Sequence, residues 1–526
     1  MMGKRIRISQ EYRQVLLVAL PILSLTLINP IGWDNAIYQS MAIDLVRYGK
    51  LPYVGSWDVN FPGIVLIHSA CIVLFGTSDF AFRVFDVLVN ACFVLVLYRY
   101  ERRWLSHRAS LLGVSLYVIW YLFGGVLIFG QRDVYIGMLV VAAIDRMLEG
   151  TGAGASRRHI AMASLCLGLA VLIRPTSLIY SVILSLTISD GDLWRLLRER
   201  GLFIASTCVP LLLSFVPCCF VGGGLNLYYS STILFIFDLY TKFSSDWKWL
   251  FLHAKHDYLV YGFVLIAGIS LFRGRKRSPS GVESVPSRRE LLVVIGSIVA
   301  SFAILIVQKK FLRYQSAPGS ILLIPFAAYG AERLLSMLPA SRQRVFSLLV
   351  GVVLVVVGCK VSVISSFVAQ LPDLHAAFLA AYCRVSPDPE GGKAAELRTL
   401  AYLERPENKD ASIEIMAYDA HLRADLGRSN VTRYTTMHAL TFRSDIHRDD
   451  ASSHPKFQRE WRQEYVRTLQ TRRPEIIVML RNVGGWYLGD LWDESLHNLA
   501  GFDELMRTSY KLDTSFGNFQ VYRALR

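Results

Sequence analysis

Charged side chains are scarce in this chain of 526 residues: Asp, Glu, Lys and Arg make up 18% of it, whereas soluble globular proteins carry about 25%. The deficit of charged residues is concentrated in long apolar runs, and the mean hydropathy of the chain is +0.38. This composition excludes an ordinary soluble domain and predicts a polytopic α-helical membrane protein. The net charge of +15 fits basic loops at a lipid bilayer and a preference for anionic lipid or phosphate, so we expect no nucleic-acid partner.

Signatures of a disulfide framework, of a zinc site and of a cleaved leader are also scarce in the sequence. Apart from Cys383, the cysteines lie in apolar segments and no C-x-x-C pair occurs, so we expect neither a disulfide framework nor a zinc site. The N-terminal "MMGKRIRISQEYRQ" leads into an apolar run without a small-residue cleavage site. We therefore expect a retained membrane anchor.

Apolar segments long enough to approach the roughly 20 residues of a membrane span are frequent. Eleven are predicted to cross: Val15–Ile31, Phe80–Tyr98, Leu111–Phe129, Val134–Met147, His159–Ile173, Thr176–Ile188, Leu202–Val221, Tyr258–Phe272, Leu291–Val307, Gly319–Leu335 and Phe346–Val368. A further segment, Pro62–Phe75, is ambiguous. If it lies at the outer interface, every basic connection from "GKRIR" to "ASRQR" falls on one face, which identifies that face as cytoplasmic. The N-terminus is then cytoplasmic and the C-terminus outside.

Two domains are expected from this arrangement. Residues 1–370 form the membrane domain, with outer loops at 29–78 and 222–257, and residues 371–526 form a soluble α/β domain. The strand patterns "ASIEIMAYD", "RPEIIVML" and "FGNFQVYR" and the amphipathic "FQREWRQEYVRTLQ" support that second prediction. Without a metal, glycine-loop or nucleophile motif, the tail is assigned no chemistry of its own.

Ionisable residues gather on the outer face in this topology. Asp34 precedes a stretch in which apolar residues recur at near-helical spacing, and this stretch ends at Gly49. The recurring residues are Ile37, Met41, Leu45 and Tyr48. A plain interpretation makes Asp34 an N-cap and the basic residues snorkelling side chains. Taken together, ionisable groups at membrane depth instead favour a pocket with a general base and an anion site. The other members are Asp58, Asp133, Arg83, Arg132, Arg174, Lys309, Lys310 and Arg313.

The order of these motifs resembles a known family. After the first span come Asp34 and "SWDVNFPGIVLIHSACIVLFGTSDFAFRVFDV", then "GQRDVYIG", "LGLAVLIRPTSL" and "KKFLRYQSAPGSILLIP". This pattern resembles the superfamily C (GT-C) glycosyltransferases that use polyprenyl-phosphate sugars, and is most similar to bacterial lipid A aminoarabinose transferases and protein O-mannosyltransferases. The resemblance implies a GT-C-like fold of about 11 transmembrane helices with interfacial helices in the first outer loop.

By position, the resemblance makes Asp34 the catalytic aspartate of the first loop. Asp133 stands where a second acidic or polar site residue is found, Arg174 replaces a frequent Lys, and Lys310, Arg313 and Tyr314 match a basic–aromatic motif. Two departures stand out. The mannosyltransferases have an acidic pair where this chain has Asp34-Asn35, and the aminoarabinose transferases have a Lys before the prolines where this chain has Asn60.

The resemblance and the residues together predict an inverting transferase. Asp34 is the expected general base for an acceptor hydroxyl, and cations stabilise the departing phosphate. The residues expected to orient the acceptor or sugar are Asp58, Asp133, Asn35 and Asn60. Those expected to bind the donor phosphate are Arg83, Arg132, Arg174, Lys309, Lys310, Arg313 and Tyr314. No cofactor is expected; carboxylates can bind a divalent metal, but the basic cluster can replace it.

Two other classes of function remain open on the sequence. A transporter or flippase for a lipid-linked sugar would suit the charged groups near the spans, although no inverted repeat is visible and the acidic groups gather on one face. A non-catalytic envelope assembly protein would use the tail as a binding module. The predicted location is the bacterial inner membrane with a periplasmic tail. The sugar, the lipid, glycan or protein acceptor, and the oligomeric state are not identified.

Overall fold

The computed structural model describes most of the chain. The described residues are 2–150, 157–188, 193–242, 247–248, 250, 257–272, 288–336, 393–417, 420–441, 454–481 and 499–525. The predicted span Phe346–Val368 and the predicted domain boundary at 370/371 lie outside them, so both stay predictions.

Helices dominate the described residues. Numbered in chain order, they are α1 Met2–Ser24, α2 Trp33–Tyr48, α3 Pro62–Phe75, α4 Asp79–Glu101, α5 His107–Gly124, α6 Arg132–Gly150, α7 Arg157–Ile173, α8 Leu178–Ser185, α9 Leu193–Cys219, α10 Gly224–Tyr229, α11 Phe235–Asp238, α12 Tyr258–Phe272, α13 Arg288–Gln308, α14 Ala317–Ser336, α15 Lys393–Leu403, α16 His421–Leu426, α17 His438–Thr441, α18 Lys456–Arg472 and α19 Phe502–Ser509. Short 3₁₀ turns extend several of them, and Ser230–Leu234 is a π-helical turn.

The chain divides into two compact units, each built from separate segments. The first comprises 1–31, 83–214 and 244–364, and the second comprises 32–82, 215–243 and 365–526. Most of the first outer loop and part of the 222–257 loop therefore belong to the same unit as the tail.

The first unit consists of apolar helices. Five helical stretches in the described residues are long and apolar enough to cross a membrane: Gln10–Ile28, Asp79–Glu101, His107–Leu127, Leu193–Cys219 and Glu290–Gln308. The other predicted spans that fall in described residues are also helical. The total of eleven crossings stays a prediction. Several helices extend beyond the predicted limits because charged residues such as Asp79 and Glu101 continue the backbone hydrogen bonding past the apolar run.

Close helix packing in this unit depends on small residues. A Cβ on Gly330 of α14 would lie 2.0 Å from the backbone oxygen of Phe263 of α12. Only a glycine permits this separation, and α12 and α14 pack along each other extensively.

The second unit contains a four-stranded sheet. Its strands are β1 Ile413–Met416, β2 Ile476–Leu480, β3 Tyr510–Phe516 and β4 Phe519–Ala524, in the order β1-β2-β4-β3. The β1–β2 pair is parallel, and the other two pairs are antiparallel. Every residue of β1 and β2 is buried, because apolar side chains cover both faces. The strands predicted in "ASIEIM", "RPEIIVML" and "FQVYR" are present as β1, β2 and β4.

One core of the second unit joins three distant chain segments. Trp57 of the first outer loop lies against Phe235 at 5.1 Å and Trp461 at 5.7 Å between ring centroids. Leu239, Tyr465 and strand residues of β2 complete the same cluster. On α18 the buried positions follow one helical face, as the amphipathic pattern predicts.

Candidate functional site

Asp34 lies in the first turn of α2 and is half-buried. The N-cap of α2 is Gly32, so the N-cap interpretation of Asp34 is wrong: Asp34 is the second helical residue. A carboxylate in this position still interacts favourably with the helix dipole. Asn35 beside it is buried.

The burial of α2 is wider than the predicted apolar stripe. Met41 is buried, but Ile37 and Leu45 are only partly buried, and Tyr48 is 47% exposed. Polar residues of α2 are buried as well, because α3 and α16 both pack on it. These buried polar residues are Asn35, Gln39, Ser40 and Asp44.

Asp58 and Asn60 form a local turn in the same unit. The Asp58 carboxylate is 4% exposed and accepts hydrogen bonds from the Asn60 side chain at 2.8 Å and the Asn60 backbone N–H at 3.3 Å. The Tyr53 hydroxyl donates to the Asn60 carbonyl. This arrangement fixes the "WDVN" segment.

Asp133, Arg132 and Arg174 are brought together in the first unit. Asp133 follows the first residue of α6 and is fully buried, and Arg174 caps the end of α7. Arg174 donates a hydrogen bond from Nη1 to the Asp133 carboxylate and another from Nη2 to the side-chain oxygen of Gln308, at the end of α13. The Arg132 Nε donates to Asp133 at 3.3 Å. One carboxylate therefore holds two guanidinium groups, which leaves an excess of positive charge.

The predicted basic–aromatic motif forms a tight connection between α13 and α14. Tyr314 lies beneath the Arg132 guanidinium, 5.9 Å from the ring centroid, and Arg313 donates to the Phe123 carbonyl at 2.9 Å. Lys310 is 5% exposed, and burial lowers the pKa of its ammonium group to about 8. Lys309 and Phe311 both have positive φ, 47° and 50°, a strained conformation that the surrounding structure must maintain.

Arg83 holds two chain segments together. It is fully buried, and its Nε and Nη2 donate to the carbonyls of Asn29 and Pro30. Its guanidinium also lies over the Phe129 ring at 5.3 Å. These contacts tie α4 to the end of the first helix, and we leave Arg83 out of the donor site proposed below.

Asp257 is a buried residue of the first unit that sequence reasoning missed. Its carboxylate accepts hydrogen bonds from Trp120 Nε1 at 2.7 Å, Ser316 Oγ at 2.8 Å and Ser320 Oγ at 2.9 Å. Ser316 ends the 3₁₀ turn that carries Arg313 and Tyr314. The only signal in the sequence is an acidic residue directly before the apolar α12.

Metal-ligating residues do not cluster in the described part of the chain, where no group of three or more His, Cys, Asp or Glu side chains could hold an ion. Metal independence stays a prediction.

Comparisons with known proteins test the family resemblance and the fold. The family model for dolichyl-phosphate-mannose-protein mannosyltransferases matches residues 61–219, which include Arg132, Asp133 and Arg174 but not Asp34. A search of curated protein sequences gives no match.

Among solved structures, the chain is similar to ArnT from Cupriavidus metallidurans. The structure bound to undecaprenyl phosphate matches with a TM-score of 0.57 and 14% identity, over 99% of this chain and 98% of that one. The apo structure matches with the same TM-score, 13% identity and the same coverage. The AglB oligosaccharyltransferase from Archaeoglobus fulgidus reaches a TM-score of 0.49 at 12% identity, over 98% and 74% of the two chains.

The predicted resemblance to the GT-C glycosyltransferases is thereby confirmed. The fold follows from the likeness to ArnT, which covers nearly the whole of both chains. The family match adds a sequence relationship over the segment that contains the buried Asp133 and its two arginines.

Proposed function

We propose that this chain is an inverting glycosyltransferase. It moves a sugar from a polyprenyl-phosphate donor to a hydroxyl group of a lipid, glycan or protein acceptor on the outer face of the bacterial inner membrane. The N-terminus is cytoplasmic and the tail periplasmic. The observation that carries the proposal is the mannosyltransferase family match over the segment holding Asp133 and its two arginines.

The cations of the first unit suit the donor phosphate. Asp133 and Gln308 hold Arg174 in one orientation, so its guanidinium is organised before an anion arrives. Guanidinium groups bind phosphate oxygens through charge-assisted hydrogen bonds, which are shorter and stronger than neutral ones. Arg132, Lys309, Lys310 and Arg313 supply further positive charge, and Tyr314 supports Arg132. Asp133 thus orients cations, whereas the sequence predicted that it orients sugar or acceptor.

Asp34 supplies the base. The acceptor oxygen attacks the anomeric carbon as its proton moves to the Asp34 carboxylate, and the bond from that carbon to the phosphate oxygen breaks. The bonding electron pair leaves with the phosphate, whose charge the cations stabilise. Attack opposite the leaving group inverts the anomeric configuration. A positioned base of this kind contributes about 10²–10⁴-fold to the rate, and Asp58, Asn35 and Asn60 are assigned to orienting the acceptor.

The decisive experiment replaces Asp34 with Asn. Membranes or proteoliposomes containing the full chain receive a mixture of polyprenyl-phosphate sugars and candidate acceptors, and transfer is measured at matched folded protein. We expect Asp34→Asn to lower kcat by at least roughly 100-fold while undecaprenyl phosphate binding is retained. Arg174→Gln should instead weaken that binding, because it removes a phosphate contact.

The matched control is Asp503→Asn, which removes an exposed carboxylate in the first turn of α19 and should transfer sugar normally. Normal turnover by Asp34→Asn would remove Asp34 from the mechanism. If the wild type moved lipid-linked sugar across the bilayer without transferring it, the transferase would give way to a transporter.

Metal removal gives a second test. Because fixed guanidinium and ammonium groups take the place of a Lewis acid at the phosphate, we expect transfer to be unchanged after incubation with EDTA and passage through a chelating resin. Measured initial rates with and without added Mg²⁺ or Mn²⁺ should agree. A loss of activity that Mn²⁺ restores would show that a metal takes part.

A further inference from the structure

The tail holds the helix that carries Asp34, and this contact lies entirely within the second unit. Four residues of α2 face α16 and the residues that flank it: Ser40, Asp44, Arg47 and Tyr48. Their spacing, i, i+4, i+7 and i+8, places them on one side of the helix. Asp34 lies on the same helix, ten residues before Asp44 and about 15 Å away along the axis.

At the centre of the contact is a buried ion pair. Arg423 Nη2 of α16 donates to Asp44 Oδ2 at 2.5 Å, and the two side chains are 1% and 0% exposed. A charge pair this deeply buried is costly to break from one side, because the remaining charge stays buried without its partner. Arg423 therefore fixes the position of α2 more firmly than a surface ion pair would.

Further contacts surround the ion pair. The carbonyl of Gly427, which ends α16, accepts from Tyr48 Oη at 3.3 Å and Arg47 Nη1 at 3.5 Å. Gly427 has φ of +65°, and a Cβ there would lie 2.9 Å from Arg47 Nη1. The Lys50 ammonium donates to the Asn430 carbonyl at 2.8 Å. The tail thus contacts α2 and Lys50, the second residue after the helix, at several successive points.

A second contact also holds α2. On its other side α2 packs on α3, where Gln39 donates to the Thr77 carbonyl at 2.5 Å and Tyr38 meets the His68 ring edge-on. The helix is therefore held from two sides, while the half-buried Asp34 lies in its first turn. Because a helix is rigid, contacts that fix the middle and the C-terminal end of α2 also fix the position of its first turn, which contains Asp34.

We propose that Arg423 is a positioning residue for the transfer reaction: through Asp44 it fixes the orientation of α2 and hence of the Asp34 carboxylate. This inference rests on the proposed function. It gives the tail, to which the sequence assigned no chemistry, a direct part in aligning the base. A misplacement of about 1 Å can cost roughly 100-fold in rate.

The test uses the full chain in nanodiscs with Arg423→Gln, Arg423→Lys and the double variant Asp44→Asn/Arg423→Gln. The double variant removes both partners of the ion pair, so neither Asp44 nor Arg423 remains as a buried charge without the other, which guards against simple misfolding. The control is Arg507→Gln, an exposed arginine of α19. Two quantities are measured: hydrogen exchange of the α2 amides, and kcat and donor KM of the proposed transfer.

We expect faster exchange in α2 for Arg423→Gln and the double variant, with kcat lowered roughly 10- to 100-fold and donor KM changed less than twofold. Arg423→Lys should recover part of kcat because it keeps the charge. A purely structural role predicts lower stability with unchanged kcat per folded molecule, and that result would overturn the inference while leaving the proposed function intact.

Unchanged exchange and unchanged kcat would overturn the inference as well. Absence of transfer by the wild type, or full activity of Asp34→Asn, would overturn the proposed function and the inference with it. The exchange data would still report whether the clamp on α2 exists, so the two failures can be told apart.

Discussion

Single residues in this protein gain their roles from partners that are distant in sequence. The sequence predicts that Asp133 and Arg174 lie on the same face of the membrane, and the structure adds that Asp133 accepts a hydrogen bond from Arg174. The sequence could not reveal that Asp133 accepts hydrogen bonds from two guanidinium groups. Nor could it reveal that Arg83 donates to the carbonyls of Asn29 and Pro30. Side-chain direction depends on helix rotation, which an apolar run does not specify.

Lys310 gives a pH-dependent prediction at this scale. Burial lowers its pKa from 10.5 to about 8, so the ammonium is mostly charged below pH 8 and mostly neutral above it. Because only the charged form attracts phosphate, donor KM should rise about tenfold between pH 7 and pH 9. Initial-rate kinetics across this range measure the change.

Two variants serve as comparisons. Lys310→Arg should give a flat donor KM, since arginine stays charged throughout, and Lys310→Met should have a high donor KM at every pH. A wild-type KM that does not vary with pH would remove Lys310 from the donor site.

Elements were easier to predict than residues. Long apolar runs and end signals place the helices well: α12 has the predicted bounds, and α2 ends at Gly49 with the left-handed conformation that its glycine allows. The burial of α2 was mispredicted, because its polar residues are covered by a segment of chain almost 400 residues further on. Periodicity in one segment carries no information about such a partner.

The contact between α12 and α14 gives a prediction at the scale of elements. In Gly330→Ala the new Cβ would clash with the Phe263 carbonyl and force the helices apart, an overpacking that costs roughly 1–3 kcal/mol. We expect the unfolding temperature in detergent to fall by several degrees. Gly262→Ala on α12, where a Cβ would meet nothing within 4 Å, should leave it unchanged, and equal behaviour of the two variants would contradict the packing argument.

At the scale of the whole molecule, the strands and helices of the tail are visible in the sequence, but its core is not. That core includes Trp57 from the first outer loop, together with Phe235 and Leu239. The link is also made by backbone: Trp57 N–H donates to the Arg433 carbonyl at 2.6 Å. Local sequence patterns describe each segment correctly. They do not show that the second unit is assembled from three separate segments of the chain.

This assembly predicts that residues 371–526 do not fold stably alone. Without Trp57, Phe235 and Leu239, Trp461 loses its aromatic neighbours from outside the tail, and the ion pair of Arg423 with Asp44 is absent. Removing a large buried side chain costs about 3–5 kcal/mol, comparable to the whole stability of many domains. Expressed alone, the tail should bind ANS and melt without a cooperative transition; a sharp melt with dispersed amide resonances would show that it is an independent domain.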